Sequence, residues 1–114
     1  MAQVEASTLY GTLNLLLLRT LEEGEMHGLD IRRRIEELAG RGLKVEEGAL
    51  YPALHRLERD GLIEATWGVS ERRRRAKFYR LTPKGRKRLR RELASWKKHV
   101  QAVARVILDP GEAL

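Results

Sequence analysis

Residues 48–60 combine an apolar helical face with cationic, aromatic and polar side chains that could contact nucleic acid. The apolar residues recur at the spacing of one side of an α-helix, and they are Leu50, Ala53, Leu54 and Leu57. The candidate contact residues on the remaining sides are Ala49, Tyr51, Pro52, His55, Arg56 and Arg59. A helix of this kind suits the major groove of DNA, where side chains reach base edges and phosphates. The alternative for this stretch alone is an ordinary surface helix with solvated charges.

A second cluster of cations follows this helix, at the tip of an expected β-hairpin. Alternating apolar and polar residues predict one strand over 63–67, and residues 76–81 are expected to form the returning strand. Four consecutive arginines lie in between, and their mutual repulsion has no intramolecular use that the sequence indicates. The candidate phosphate contacts are Arg73, Arg74, Arg75 and Lys77. The hairpin is expected to be the wing of a winged helix-turn-helix, with a solvated loop as the alternative.

The charge of the chain is concentrated at one end. The net charge is +7, but residues 1–71 hold eight Lys and Arg against thirteen Asp and Glu. Residues 72–114 hold fifteen Lys and Arg against three Asp and Glu. This asymmetry is expected of a protein that binds a polyanion. A basic tail that only maintains solubility is the alternative.

Several other classes of function lack the residues that they need. The chain contains no cysteine, and its three histidines do not have metal-ligand spacing. No nucleophilic serine motif or glycine-rich phosphate loop is present in the sequence. We therefore expect no enzyme activity, no metal and no cofactor. The leucine run 15–18 is too short to span a bilayer, and the N-terminus lacks signal-peptide features, so we expect a cytoplasmic protein without membrane association.

Two helices are expected to precede and support the recognition stretch. The first spans about residues 10–22, and Leu15 and Leu18 fall on a second apolar face that we assign to a subunit contact. The second helix is expected over 28–39, and a very short strand over 43–45.

A long C-terminal helix is expected from Thr82-Pro83, a strong helix start, to about residue 108. Its apolar residues alternate in steps of four and three, which is a heptad seam: Leu89, Leu93, Trp96, Val100, Val103 and Ile107. This seam predicts pairing with a second copy of the chain, and folding back on its own domain is the alternative. The first turns carry cations where the helix dipole disfavours them, which favours phosphates nearby: Lys84, Arg86, Lys87 and Arg88.

Several motifs together resemble the PadR family of bacterial transcriptional regulators. They are Gly11-Thr12-Leu13, His27-Gly28, the segment 48–54 followed by 61–63, and the segment 74–82 followed by Gly85. The resemblance covers about residues 9–107. It implies a dimeric winged helix-turn-helix repressor of the shorter size class, whose C-terminal helix docks on the first helix of its partner.

The resemblance also implies roles for individual residues. Tyr51 is similar to a family tyrosine near the DNA backbone, and Pro52 shapes the front of the recognition helix. Arg74, Arg75 and Lys77 resemble wing residues that reach phosphate or the minor groove. Many relatives have Ser or Thr where this chain has Ala49, so one hydroxyl contact is absent, although the alanine could touch a thymine methyl.

The fold class expected from these observations is mainly α-helical with a small β-hairpin. It comprises a winged helix-turn-helix DNA-binding domain over 1–82, a dimerisation helix over 83–108 and a frayed tail over 109–114. The expected function is repression by a homodimer bound to a pseudo-palindromic operator in double-stranded DNA. Trp96 is the candidate contact for a small aromatic effector, with ordinary packing as the alternative. A winged-helix module that binds other proteins is the alternative function.

Overall fold

Four helices and three short strands alternate along the chain in the computed structural model, which describes residues 6–111, and the side chains of residues 12–111. The elements are α1 (Ala6–Leu21), β1 (Met26–His27), α2 (Gly28–Leu38), α3 (Glu47–Arg59), β2 (Ile63–Val69), β3 (Arg75–Leu81) and α4 (Pro83–Ile107). The predicted helices and the hairpin are therefore confirmed, with shifts of a few residues at their ends. Part of the expected frayed tail, residues 112–114, lies outside the described residues.

Local signals fix the starts of two helices. The Thr82 hydroxyl accepts a hydrogen bond from the backbone N–H of Gly85 at 3.0 Å, which caps α4 as the Thr-Pro pair predicted. At the start of α2, His27 Nδ1 accepts from the backbone N–H of Asp30 at 3.3 Å. The imidazole also meets the ring of Phe78 edge-on at 5.5 Å between centroids. His27 is thus a capping and packing residue.

The sheet is antiparallel, in the order β1-β3-β2, with Ile63 opposite Leu81 and Val69 opposite Arg75. Its third strand is β1, where Met26 pairs with Tyr79. The strand predicted over 43–45 is wrong, because the backbone N–H of Val45 donates to the Glu36 carboxylate at 2.9 Å instead of to a strand. The hairpin of residues 63–81 is called the wing below.

The core lies between the first three helices and the base of the sheet. The four apolar residues of α3 are all buried, as predicted. Two assignments to the subunit interface are wrong, because Leu18 and Leu89 are 0% and 1% exposed within a single chain. Leu18 is enclosed because α1 contacts α2, α3, β3 and α4. Leu15 is half-buried and packs partly against the core.

The second half of α4 extends away from this core with apolar residues in solvent. Leu93 and Val100 are half-buried, and Trp96 and Ile107 are 41% and 71% exposed. Among the described residues, no helix is long and apolar enough to cross a membrane.

Candidate nucleic-acid interface

A groove of about 430 Å³ runs between α3, the start of α2 and the wing. Half of the predicted DNA-binding residues line it: Tyr51, His55, Arg74, Arg75 and Lys77. The others lie at its edges or outside it: Ala49, Pro52, Arg56, Arg59 and Arg73. One wall is therefore formed by the recognition helix and the facing wall by the cationic hairpin.

The position of Tyr51 on the first wall depends on a glycine at the start of α2. A Cβ atom at Gly28 would lie 2.7 Å from Tyr51 Cε1 and 3.0 Å from its hydroxyl oxygen, which is too close for a real side chain. The tyrosine ring therefore lies directly over the backbone of Gly28, with its hydroxyl beside the groove. The sequence pointed to Gly28 only through the His-Gly motif, and its spatial role was not predicted.

The remaining α3 candidates differ in how accessible they are. His55, Pro52 and Arg59 are exposed, and Arg59 forms an ion pair with its neighbour Asp60 at 3.4 Å. Arg56 is half-buried and does not line the groove. Ala49 is partly buried against the core, so little of its methyl group is available to a base.

The tip of the wing is a closed turn that holds arginines outward. The backbone N–H of Ser70 donates to Arg74 O at 2.8 Å, and that of Arg73 donates to Ser70 O at 2.8 Å. Arg73 takes the left-handed backbone conformation, with φ of 58°. Arg72, Arg73 and Arg74 are exposed and have no side-chain partner among the described residues. These cations are therefore free to bind an anion.

Arg75 differs from these arginines because it is stacked on an aromatic ring. Its guanidinium carbon lies 4.4 Å from the centroid of the Trp67 ring. A guanidinium held over an aromatic ring keeps N–H groups that can still donate to a phosphate. Trp67 lines the groove and was missed as a site residue, because the alternating pattern of β2 indicated only which face it occupies.

Lys77 has an intramolecular partner that the sequence did not predict. Its Nζ donates a hydrogen bond to Glu58 Oε1 on α3 at 3.0 Å, and it lies 5.8 Å from the ring centroid of Tyr79. The hydrogen bond to Glu58 raises the pKa of Lys77 above its ordinary value. Burial is the main cause that raises the pKa of the Tyr79 hydroxyl. Lys77 thus connects the wing to the recognition helix, in contrast to the free arginines at the tip.

A second, apolar cavity of about 350 Å³ lies along α4. Its lining includes Thr12 of α1 and the seam residues Trp96, Val100, Val103 and Ile107. These four are among the six residues that the heptad pattern assigned to a partner chain. No group of His, Asp and Glu in the described part of the chain is arranged to hold a metal ion.

Comparison with known proteins extends this description. The family model described as "Transcriptional regulator PadR-like family" matches residues 17–91. Transcriptional regulator Rv3488 of Mycobacterium tuberculosis is 40% identical over 74 residues, which is 65% of this chain and 65% of that protein. The chain thus spans just under two thirds of the length of that relative.

Solved structures show the same fold. A transcriptional regulator from Clostridium thermocellum has a TM-score of 0.81 at 26% identity, covering 90% of this chain and 99% of the other. A PadR-like transcription factor from Bacteroides fragilis has a TM-score of 0.71 at 32% identity, covering 89% and 95%. The fold is therefore a winged helix with a long C-terminal helix.

Proposed function

The chain belongs to the transcriptional regulator PadR-like family, and from this premise we propose that it is a homodimeric repressor that binds DNA. The observation that carries the proposal is the groove between α3 and the wing, with Tyr51 and His55 on one wall and free arginines on the other. Its shape and charge suit a DNA strand whose phosphates pass between the two walls.

In this proposal α3 enters the major groove with the side that carries His55 toward the bases. His55 is the best-placed residue for base contact, because it is exposed on the wall of the groove. Arg56 and Arg59 are base-side candidates at the edge of this surface. Tyr51 and the wing arginines hold phosphates, or reach the adjacent minor groove. Two copies would contact half-sites about 34 Å apart on a pseudo-palindrome.

The proposed dimer uses the seam of α4 beyond the core. Trp96, Val103 and Ile107 are exposed apolar side chains in a single chain, and a partner that covers them removes this surface from water. The cavity that they line also includes Thr12, so α1 lies beside the seam. A partner's α4 that covers the seam would therefore also meet α1, as docking of α4 on α1 of the partner requires.

Titration of two variants tests the division between base and phosphate contacts. We expect His55→Ala to weaken binding to the operator by about 1–3 kcal/mol while leaving nonspecific binding nearly unchanged. We expect Arg74→Ala to weaken both, and to lower the slope of log K against log salt by about 0.9 for each lost phosphate contact. Equal effects of His55→Ala on operator and scrambled DNA would refute its assignment to base reading.

Sedimentation measurements test the proposed dimer. Val103→Glu places a carboxylate in the seam, and we expect it to shift the chain toward monomer. The matched control is Ala102→Glu, which adds the same charge at an exposed neighbour outside the seam. If the Val103→Glu variant sediments like the control, the seam does not form the dimer interface.

The apolar cavity beside Trp96 supports a second element of the proposal, which is relief of repression by a small aromatic effector. A planar ligand that stacks on Trp96 would quench the fluorescence of this tryptophan. The measurement uses the variant Trp67→Phe, in which Trp96 is the one remaining tryptophan. Planar aromatic cations across a broad panel are the probes, and quenching accompanied by release of DNA is the expected result. An unchanged spectrum with every compound would leave Trp96 as a packing residue.

A further inference from the structure

The outer face of α4 is strongly cationic and has no role in the site described above. The helix contains nine Lys and Arg but a single Glu. Seven of these cations are exposed and have no side-chain partner among the described residues, and they define the outer face of α4: Arg86, Lys87, Arg90, Arg91, Lys97, Lys98 and Arg105. At about 1.5 Å per residue they extend over about 28 Å of the helix.

This arrangement destabilises an isolated helix. No acidic residue stands in the first turn of α4, where the helix dipole favours anions and disfavours cations. Arg86 and Arg90, and likewise Lys87 and Arg91, are like charges four residues apart, which repel each other on a helix. An unfavourable pattern that local structure does not compensate is expected where function requires it.

The two other cations of this helix show what intramolecular compensation looks like. Lys84 Nζ donates to the backbone O of Asp60 at 2.7 Å, and Arg88 Nη1 lies 3.6 Å from Glu92 Oε1. The described part of the chain provides no such partner for the outer face. An external anion is therefore the remaining source of compensation.

The outer face lies away from the proposed dimer seam. At about 100° per residue, its seven cations fall within an arc of about 140°, centred about 130° from the seam. Lys87, Arg91 and Lys98 lie about 160–180° from the centre of the seam. A second copy of the chain that covers Trp96 and Val103 would leave these three cations in solvent.

We propose that the outer face of α4 binds phosphates of duplex DNA beyond the half-sites that α3 and the wing contact, on the same DNA molecule. The inference rests on the proposed function. Charge complementarity carries the choice of partner, because the outer face presents seven cations and its arc contains no aromatic or acidic residue, which matches a phosphate backbone. The hydrogen bond from Lys84 to Asp60 places the start of α4 beside the C-terminal end of the recognition helix.

The test compares two duplexes that carry the same operator at their centres, one of about 24 base pairs and one of about 60. The variant is Lys87→Gln/Arg91→Gln/Lys98→Gln, which leaves the seam intact. The matched control is Arg19→Gln/Arg41→Gln/Lys44→Gln, which removes the same charge from exposed residues on other elements. Affinity is measured by fluorescence anisotropy at two salt concentrations that differ fourfold.

We expect the wild type and the control to bind the long duplex more tightly, and with a steeper salt slope, than the short one. We expect the variant to bind the long duplex no more tightly than the short one, and to bind the short duplex with wild-type affinity. If two phosphate contacts are lost, the ratio of variant to wild-type Kd on the long duplex changes by about tenfold over the fourfold change in salt.

Two outcomes would overturn the inference. A variant that matches the wild type on both duplexes would show that the outer face does not touch DNA. Equal weakening on both duplexes, matched by the control, would show only a general effect of net charge. In either case, specific binding of the short duplex would still support the proposed repressor function, because that duplex tests only the contacts of α3 and the wing.

Discussion

Replacing Lys77 with glutamine separates two roles that this residue can have in the wing. Lys77 Nζ lies 3.0 Å from Glu58 Oε1, and the two side chains are 29% and 34% exposed. Ion pairs near the surface contribute about 0.2–1 kcal/mol to the free energy of unfolding. Because this pair is partly shielded and hydrogen-bonded, we expect Lys77→Gln to cost about 1 kcal/mol, measured by urea denaturation.

DNA binding then distinguishes a brace from a phosphate contact. If Lys77 braces the wing against α3 through Glu58, Lys77→Gln weakens DNA binding without changing the slope of log K against log salt. If Lys77 binds a phosphate, the slope falls by about 0.9 per lost contact, as expected for Arg74→Gln. We expect the first result, because the ammonium group already has a carboxylate partner.

The double variant Lys77→Gln/Glu58→Gln is the control, because it has the same net charge as the wild type. We expect it to regain affinity relative to Lys77→Gln, since the uncompensated carboxylate beside the DNA is removed. A coupling energy of about 0.5–1 kcal/mol between the two substitutions is the expected signature of the pair. If the slope of log K against log salt stays low in the double variant, the bracing role is refuted and Lys77 is a phosphate contact.

Three further predictions concern the wing and the base of α4. Trp67→Leu removes the ring that holds the Arg75 guanidinium, and anisotropy is expected to show DNA affinity reduced about two- to fivefold with an unchanged salt slope. Gly85→Ala places a methyl group against the backbone carbonyl of Leu62, and urea denaturation is expected to show a loss of about 1–3 kcal/mol. Burial raises the pKa of Tyr79, so the stability from this group is complete below about pH 10 and is lost as the pH rises through the raised pKa. The loss of unfolding free energy in alkali should therefore be smaller in Tyr79→Phe.

Elements with local signals were predictable from the sequence. The apolar spacing of α3 gave its buried face, and Thr82-Pro83 gave the start of α4, because caps and periodicity depend on residues within one or two turns. Leu18 was misassigned because periodicity assumes one buried face, whereas α1 is enclosed by several elements. The two-residue β1 shows no periodicity, since its identity as a strand comes only from pairing with β3.

The contacts that organise the candidate site had no signal in the sequence. Lys77 and Glu58 are 19 residues apart, and they meet only because the wing packs against α3. The stacking of Arg75 on Trp67 depends on the register of β2 against β3, which the strand pattern did not fix. The sequence shows which residues are present, but only the tertiary structure shows which of them contact each other.

Fluorescence anisotropy with a duplex from upstream of the protein's own gene, compared with a scrambled duplex at two salt concentrations, tests the central claim most directly. The groove between α3 and the free arginines of the wing predicts tighter binding to the upstream duplex, and weakening with salt on both. Absence of binding to either duplex at low salt would contradict a DNA-binding regulator and would favour a winged helix that binds another protein.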